Sequence, residues 1–247
     1  MEYVIKGNSA ILKCSLPSFI SDFLKVESWV DEAGNELLPS DNYDHVEVIE
    51  WIDSNGGQYS YKKDNSDGKY LVLPSGELHI KEVGPEDGYK SYQCRTKHRL
   101  TGETRLSATK GRLVITEPVG SVSPKIQSGD EFKVVRRRLN SAFNAADELN
   151  IVRSKTMLDV TLLCPAQSYP VPIYRWYKFI EGTTRKQAVV LNDRVKQVSG
   201  TLIIKDAVVE DSGKYLCVVN NSVGGESVET VLTVTAPLSA KIDPPSQ

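Results

Sequence analysis

The residues VTLLC (160–164), Trp176 and DSGKYLC (211–217) decide the fold of this chain. Two cysteines on facing strands of packed sheets can be bridged, and a tryptophan on a third strand packs against the sulfur pair. The Tyr two residues before the second Cys faces the same side of its strand, where its hydroxyl can bond back to the corner that begins the strand. The Asp and Gly that open the last stretch suit the turn at that corner. Because these features agree in order and spacing, they predict an immunoglobulin-like sandwich rather than a chance placement in another β protein.

The first half of the chain repeats this frame. Cys14 is followed by Trp29 and, after a longer interval, by Asp87 and Cys94, with one more residue between this Asp and its Cys than in the second copy. The predicted fold class is therefore all-β, with two tandem immunoglobulin-like (I-set) sandwiches. Each sandwich is expected to hold one inter-sheet disulfide, Cys14–Cys94 in the first and Cys164–Cys217 in the second.

Glu117-Pro118 marks the join between the sandwiches, since proline cannot donate to a strand ladder and ends the last strand of the first unit. We predict one domain at residues 1–117 and a second at 118–236. Residues 237–247 are expected to begin the linker or first strand of a further domain. The short linker Val119–Ser123 is expected to hold the two domains in a fixed relation.

Composition narrows the class of protein. The chain has 247 residues, a formal net charge of −2 and 40% hydrophobic residues, which suits two packed domains and not a nucleic-acid-binding protein. No apolar run reaches the roughly 20 residues that span a bilayer. Four cysteines at matched positions favour an oxidising, extracellular compartment; a mechanical intracellular module with unpaired thiols is the alternative. Met1 leads directly into a strand-like sequence, so we interpret the chain as a piece of a longer protein with Met1 as an expression start.

Each unit carries one excess segment. In the first, residues 46–52 and 58–61 flank Ser54-Asn55-Gly56-Gly57, which predicts an added hairpin, with a loose acidic loop as the alternative. In the second, the excess runs over residues 126–149, and residues 140–149 have weak helical character with Asn140 as the N-cap.

Three stretches resemble a known family: residues 67–80 (DGKYLVLPSGELHI), residues 91–118 (from SYQCRTKH to VITEP) and residues 175–247 (from RWYKFIEG onward). They closely resemble the second and third immunoglobulin domains of the arthropod Down syndrome cell adhesion molecule (Dscam) family. Residues 1–66 and 119–174 are similar in frame and differ in detail. In this family these are the segments that alternative exons exchange, so the resemblance implies one splice isoform.

The resemblance implies isoform-specific homophilic adhesion, in neuronal self-recognition and axon guidance, by the extracellular part of a single-pass plasma-membrane protein. The expected partner is an identical copy in trans. In the family, the second domain pairs antiparallel with its own copy through its first edge strand, and the third domain does so through the segment before its first Cys. These regions correspond here to residues 2–8 and 126–153.

Charge supports this mapping, because antiparallel pairing about a twofold axis places each residue opposite its mirror position. Centred on Val4, the first segment places Glu2 against Lys6; centred on Val134, the second places acids against arginines. A different isoform would meet mismatched charge. Lys and Glu at an edge strand also protect a monomer from aggregation, which is the alternative interpretation. The predicted interface residues are Glu2, Tyr3, Val4, Ile5, Lys6, Asn8, Asp130, Glu131, Phe132, Val134, Arg136, Arg137 and Arg138.

The remaining motifs suggest no chemistry. The histidines at positions 45, 79 and 98 are scattered, and His79, within the strand LHI that matches Leu202-Ile203-Ile204, is predicted to lie at the surface. We expect no catalytic residue, cofactor or metal site, and hence no enzyme. Arg136–Arg138 offers a possible polyanion site, which makes a heterophilic or glycosaminoglycan-binding receptor the alternative function. Asn220, in the sequon Asn220-Asn221-Ser222, is the predicted glycosylation site.

Overall fold

The computed structural model describes residues 1–16, 23–39, 47–52, 58–63, 68–127 and 159–234. These residues form two sandwiches, each with a three-stranded sheet facing a larger one. The predicted all-β fold with two immunoglobulin domains is confirmed.

The first sandwich contains the strands that precede the linker. Its three-stranded sheet has the order β2-β8-β7, its larger sheet the order β1-β11-β9-β3-β4 with β10 beside β9, and β5 and β6 form a separate hairpin. The strands are β1 (Glu2–Ile5), β2 (Ala10–Leu12), β3 (Leu24–Asp31), β4 (Glu36–Leu37), β5 (Glu47–Ile52), β6 (Gln58–Lys63), β7 (Tyr70–Val72), β8 (Leu78–Ile80), β9 (Ser91–His98), β10 (Thr104–Leu106) and β11 (Gly111–Thr116), and a single helical turn, α1 (Pro85–Gly88), precedes β9.

The second sandwich repeats this plan. Its three-stranded sheet has the order β13-β18-β17, its larger sheet the order β16-β15-β19-β20, and β12 pairs with β14. The strands are β12 (Val122–Ile126), β13 (Val160–Leu162), β14 (Ala166–Tyr169), β15 (Ile173–Phe179), β16 (Lys186–Ala188), β17 (Val195–Val198), β18 (Thr201–Ile204), β19 (Gly213–Asn220) and β20 (Gly225–Leu232).

A disulfide and a buried tryptophan lie at the centre of each sandwich. Both predicted bridges are present. Trp29 lies opposite Cys94 in the ladder between β3 and β9, and Trp176 lies opposite Cys217 in the ladder between β15 and β19. Each indole N–H donates to a glycine carbonyl across the core, at 2.9 Å in the first sandwich and 3.3 Å in the second. The Cys–Trp–Cys pattern is therefore confirmed in both halves.

The corner before the second cysteine differs between the sandwiches. The Tyr215 hydroxyl donates to the backbone oxygen of Asp211 at 2.7 Å, as the sequence predicts. The equivalent Tyr92 is buried, and its hydroxyl has no hydrogen-bond partner within the described part of the chain. Tyr70 donates instead to Asp87 at 2.6 Å. The additional residue between Asp87 and Cys94 accounts for the difference, because it shifts the tyrosine along its strand relative to the corner.

The hairpin predicted between the first pair of cysteines is confirmed. β5 pairs antiparallel with β6, from Glu47 opposite Lys63 to Ile52 opposite Gln58. Its Asn-Gly turn lies outside the described residues, as do the predicted helical segment 140–149 and the tail 237–247.

The two sandwiches pack against each other through the outer faces of their three-stranded sheets. Leu71 and Leu73 of the first form one apolar cluster with Val198 and Ile203 of the second, and Leu163 packs against it. Burial of this cluster stabilises the arrangement of the domains, because apolar surface is removed from water on both sides.

This contact corrects the prediction that His79 lies at the surface. His79 is the central residue of β8, opposite Leu71 of β7, so the two side chains share the outer face. Only 1% of His79 is exposed. Burial, assisted by the charge of Lys81, lowers the pKa of His79 to about 3, so the imidazole is neutral near neutral pH.

Gly200 provides a test of the core packing in the second sandwich. A Cβ at this position would collide with the Cys164 carbonyl oxygen and the Tyr174 ring. We expect Gly200→Ala to lower the free energy of unfolding by about 2 kcal/mol through overpacking, measured by urea unfolding. Gly120→Ala is the matched control, since nothing lies within 4 Å of its added Cβ. Equal stability of the two variants would contradict this packing.

Candidate interaction site

β1 is the edge strand of the larger sheet in the first sandwich. It pairs in parallel with β11 along one side, from Glu2 opposite Leu113 to Ile5 opposite Thr116. The backbone N–H of Lys6 continues this ladder and donates to the Thr116 oxygen at 3.0 Å. Because peptide groups alternate along a strand, the backbone groups of Tyr3 and Ile5 point away from β11.

The side chains of β1 divide between core and solvent. Val4 is 3% exposed and belongs to the core, whereas Tyr3 is 65% exposed and Glu2 is exposed. Lys6 forms an ion pair with Glu117 at 2.8 Å. That hydrogen bond and the charge of Glu117 raise the pKa of Lys6. The predicted partner of Lys6, Glu2 of a second copy, therefore competes with an ion pair within the chain.

The second sandwich covers the C-terminal end of β1. The backbone N–H of Ile5 donates to Gln167 Oε1 at 2.8 Å, and Gln167 Nε2 donates to the Ser9 carbonyl at 3.0 Å. Asn8 exchanges two hydrogen bonds with the Ser168 backbone, its Nδ2 donating to the carbonyl and its Oδ1 accepting from the N–H, at 2.9 and 3.1 Å.

Asn8 is therefore not an interface residue toward a second copy, which corrects the prediction. It is 1% exposed and lies in the contact between the domains. The register centred on Val4 also needs the N–H of Ile5, which Gln167 already accepts. Sequence reasoning missed Gln167 and Ser168, because a polar pair in a short strand gives no local sign that another domain covers it.

The second predicted segment, Asp130 to Arg138, lies outside the described residues. The structure does place its attachment points. It follows β12, where the Gln127 N–H donates to the Pro165 carbonyl at 2.8 Å, and it precedes β13. Both flanking strands belong to the second sandwich, so this sandwich carries the segment.

The remaining candidate residues are placed as follows. Asn220 is the exposed last residue of β19, at the turn into β20, as predicted. His98 stacks on Phe23, and its Nδ1 accepts from the Thr101 N–H at 3.3 Å. Within the described ranges, no three His, Cys, Asp or Glu side chains come together as a metal centre would require. None of the described helices has the length and apolar character needed to cross a membrane.

The paired sandwiches, their bridged cysteines and their buried tryptophans define a tandem immunoglobulin-domain protein. A family model described as an immunoglobulin domain matches residues 150–221. Over its whole length the chain is similar to "Cell adhesion molecule Dscam1" of Drosophila melanogaster, with 65% identity across 246 residues. The match covers 100% of this chain and 10% of that relative, so the chain spans about a tenth of its length.

Solved structures give the same result. The N-terminal four Ig domains of Dscam1 isoform 6.9 are 69% identical, with a TM-score of 0.77, over 100% of this chain and 53% of that one. A structure reported as the structural basis for Dscam isoform specificity is 61% identical, with a TM-score of 0.75, over the same shares of the two chains. The resemblance seen in the sequence is thereby confirmed at the level of the N-terminal immunoglobulin domains of Dscam1, and the named relatives are cell adhesion molecules.

Proposed function

We propose that this chain comprises the second and third immunoglobulin domains of one isoform of a Dscam-like receptor, and that it mediates isoform-specific homophilic adhesion. The partner is an identical copy on an opposed membrane, and the full-length protein is a single-pass protein of the plasma membrane. The observation that carries the proposal is the edge of β1, which presents backbone groups and an exposed tyrosine beside no other strand of the described chain.

The first contact is antiparallel self-pairing of β1. Addition of a strand to a sheet edge obtains affinity from main-chain hydrogen bonds and specificity from alternate side chains. Tyr3 is the outward-facing residue of β1 whose N–H Gln167 leaves free, so in the register centred on Val4 this N–H can donate to the Ile5 carbonyl of the second copy, while the Ile5 N–H stays with Gln167. This register also places the Tyr3 ring beside Ile5 of the second copy, and pairs of an aromatic and a β-branched residue across strands stabilise a sheet.

Charge supplies discrimination around this contact. In the register centred on Val4, Glu2 of one copy meets Lys6 of the other, and Glu117 already holds Lys6 in place. In the second sandwich, Asp130, Glu131 and Phe132 would lie opposite Arg138, Arg137 and Arg136, centred on Val134. A copy with other residues in these segments would present like charges or misfitting shapes, which disfavour the mixed pair.

The proposal predicts that Tyr3→Pro abolishes self-association and leaves the fold intact. Proline removes the outward N–H that a second copy needs and leaves the hydrogen bonds to β11 in place, and edge strands tolerate proline. Sedimentation equilibrium over a wide concentration range measures the association, and circular dichroism checks the fold. Tyr3→Phe is the matched control and should associate as the parent does. Association of the folded Tyr3→Pro variant at parental strength would remove β1 from the interface.

A second series of variants distinguishes the proposed Glu2–Lys6 contact between two copies from the Lys6–Glu117 ion pair within one chain. Lys6→Glu should weaken self-association, and adding Glu117→Lys should restore the internal ion pair without restoring association. Exchange of Glu2 and Lys6 should preserve association. If Lys6→Glu with Glu117→Lys associates like the parent, the Glu2–Lys6 contact is not part of the interface.

The second candidate function is heterophilic or glycosaminoglycan binding through Arg136–Arg138, which the density of positive charge favours. A chain that binds heparin, releases it at raised salt and stays monomeric at every concentration would support this function over homophilic adhesion.

A further inference from the structure

We propose that Asn220 carries an N-linked glycan whose first sugars cover the exposed side chain of Ile173, beside the turn between β19 and β20. This inference goes beyond adhesion and does not rest on it. It is carried by the geometry of the turn between β19 and β20 and by the residues beside that turn.

The turn exposes the first and third residues of the sequon, Asn220 and Ser222, to solvent. Asn221 holds the turn: its Oδ1 accepts from the backbone N–H groups of Val223 and Gly224, at 2.9 and 3.0 Å. Its Nδ2 donates to the carbonyl oxygens of Val122 and Pro170, at 2.8 and 3.2 Å. The side chain of Asn221 is thus fully used in hydrogen bonds that hold the turn, while Asn220 and Ser222 on either side of it are exposed.

The orientation of Asn220 gives the glycan a direction. A Cβ at Gly225, the neighbour of Asn220 on β20, would collide with Asn220 Oδ1, so this oxygen lies over the glycine. The residue opposite Asn220 on β15 is Ile173, and directly opposed residues have their Cβ atoms about 5 Å apart. A sugar attached to Nδ2 therefore begins beside Ile173.

The apolar side chain of Ile173 is open to solvent in the described structure. Its side chain is 68% exposed although it lies in a regular strand. Val122 lies opposite the partly exposed Tyr169 in the pairing of β12 with β14, and Asn221 connects Val122 to the turn. Other exposed apolar side chains near the turn are Val122, Tyr169 and Val223.

The attachment reaction needs only a donor of the class used in the secretory pathway, a lipid-pyrophosphate-linked oligosaccharide. The bond between C1 of its reducing-end sugar and the pyrophosphate oxygen breaks, and a bond forms between that C1 and Asn220 Nδ2. Nδ2 gives up one proton, and the lipid pyrophosphate leaves. The Ser222 hydroxyl belongs to the acceptor sequence and is not consumed.

The test uses the chain secreted from insect cells, as the parent, as Ser222→Ala and as Ser222→Thr. Intact mass before and after treatment with peptide N-glycosidase should show one glycan on the parent and on Ser222→Thr, and none on Ser222→Ala. Equal mass of the parent and Ser222→Ala would overturn the proposal.

Coverage of Ile173 has its own readout. Enzymatic removal of the glycan from the folded parent should increase retention on a hydrophobic-interaction column, and the same treatment of Ile173→Ser should increase it much less. If deglycosylation shifts both proteins equally, the sugar does not cover Ile173. Self-association of Ser222→Ala should match that of the parent, so this outcome is separate from the Tyr3→Pro result.

Discussion

Lowering the pH from about 7.5 to about 5 is expected to destabilise the packing of the two sandwiches by about 2 kcal/mol, through His79 alone. His79 is neutral and fully buried in the packed state, where its pKa is about 3. In any state that exposes the imidazole to water, its pKa returns to about 6.5. Between these two pKa values the exposed state binds a proton that the packed state does not bind. The stability of the domain packing therefore falls as pH falls.

The pH range of this effect follows from the pKa values of His79 in the packed and exposed states. The contribution is constant above about pH 6.5, decreases progressively below it, and reaches its limit near the packed-state pKa of about 3. At pH 5, protonation of His79 shifts the equilibrium between the packed and exposed states about thirtyfold toward the exposed state. The His79 Nδ1 atom is also buried without a hydrogen-bond partner in the described structure, so leucine there should be tolerated at neutral pH.

Urea unfolding of the parent and of His79→Leu at both pH values isolates the effect. Carboxylates that titrate in the same range contribute equally to both proteins. The parent should lose about 2 kcal/mol more than the variant on acidification. Identical pH dependence of the two proteins would show that His79 is not held neutral by the domain contact.

Replacement of Asp87 by Ala is expected to destabilise the first sandwich by about 3–5 kcal/mol. The Asp87 side chain is wholly buried. It accepts hydrogen bonds from the Tyr70 hydroxyl at 2.6 Å and the Gly84 N–H at 2.8 Å, and it pairs with Lys69 at 2.7 Å. These partners hold its pKa below the usual range although burial alone would raise it. Its removal leaves the buried Gly84 N–H and the half-buried Tyr70 hydroxyl without this acceptor, and Lys69 keeps only its more exposed partner Glu86.

The second sandwich contains a matched control. Asp211 occupies the equivalent corner and accepts two hydrogen bonds from Arg194, at 2.7 and 2.9 Å. This pair is more exposed, with side-chain exposures of 40% and 13%, so Asp211→Ala should destabilise less than Asp87→Ala. Urea unfolding of the two variants makes the comparison, and a larger loss at Asp211 would contradict the role given to burial.

The local frame of each sandwich was predictable from sequence because its determinants are close together along single strands. Cys164, Trp176 and Tyr215 each have one physical reason for their position, and the structure places all three as expected. The added hairpin was predictable for the same reason, since strand-forming residues flank an Asn-Gly sequence, and the structure pairs the two flanking strands.

The misplaced residues share a different cause. His79 and Asn8 are polar residues beside strand segments, and each would face solvent in an isolated domain. Both are buried because the second sandwich packs over the first. Local periodicity carries no information on which outer face of a sheet another domain will cover. At the corner of the first sandwich, Tyr70 and not Tyr92 bonds to Asp87. This difference depended likewise on one additional residue, the one between Asp87 and Cys94.

The hydrogen bond from the Ile5 N–H to Gln167 has a consequence for how diversity is generated. Gln167 lies within residues 119–174 and Ile5 within residues 1–66, the two segments that correspond to those exchanged by alternative exons in the family that the sequence resembles. Gln167 sets how many backbone groups of β1 remain available to a second copy. If β1 pairs with a second copy as proposed, replacing residues 119–174 would change the backbone groups that β1 offers, so the binding preferences set by the two segments would not combine independently. Binding preferences of shuffled chains should show epistasis between the two segments, centred on position 167.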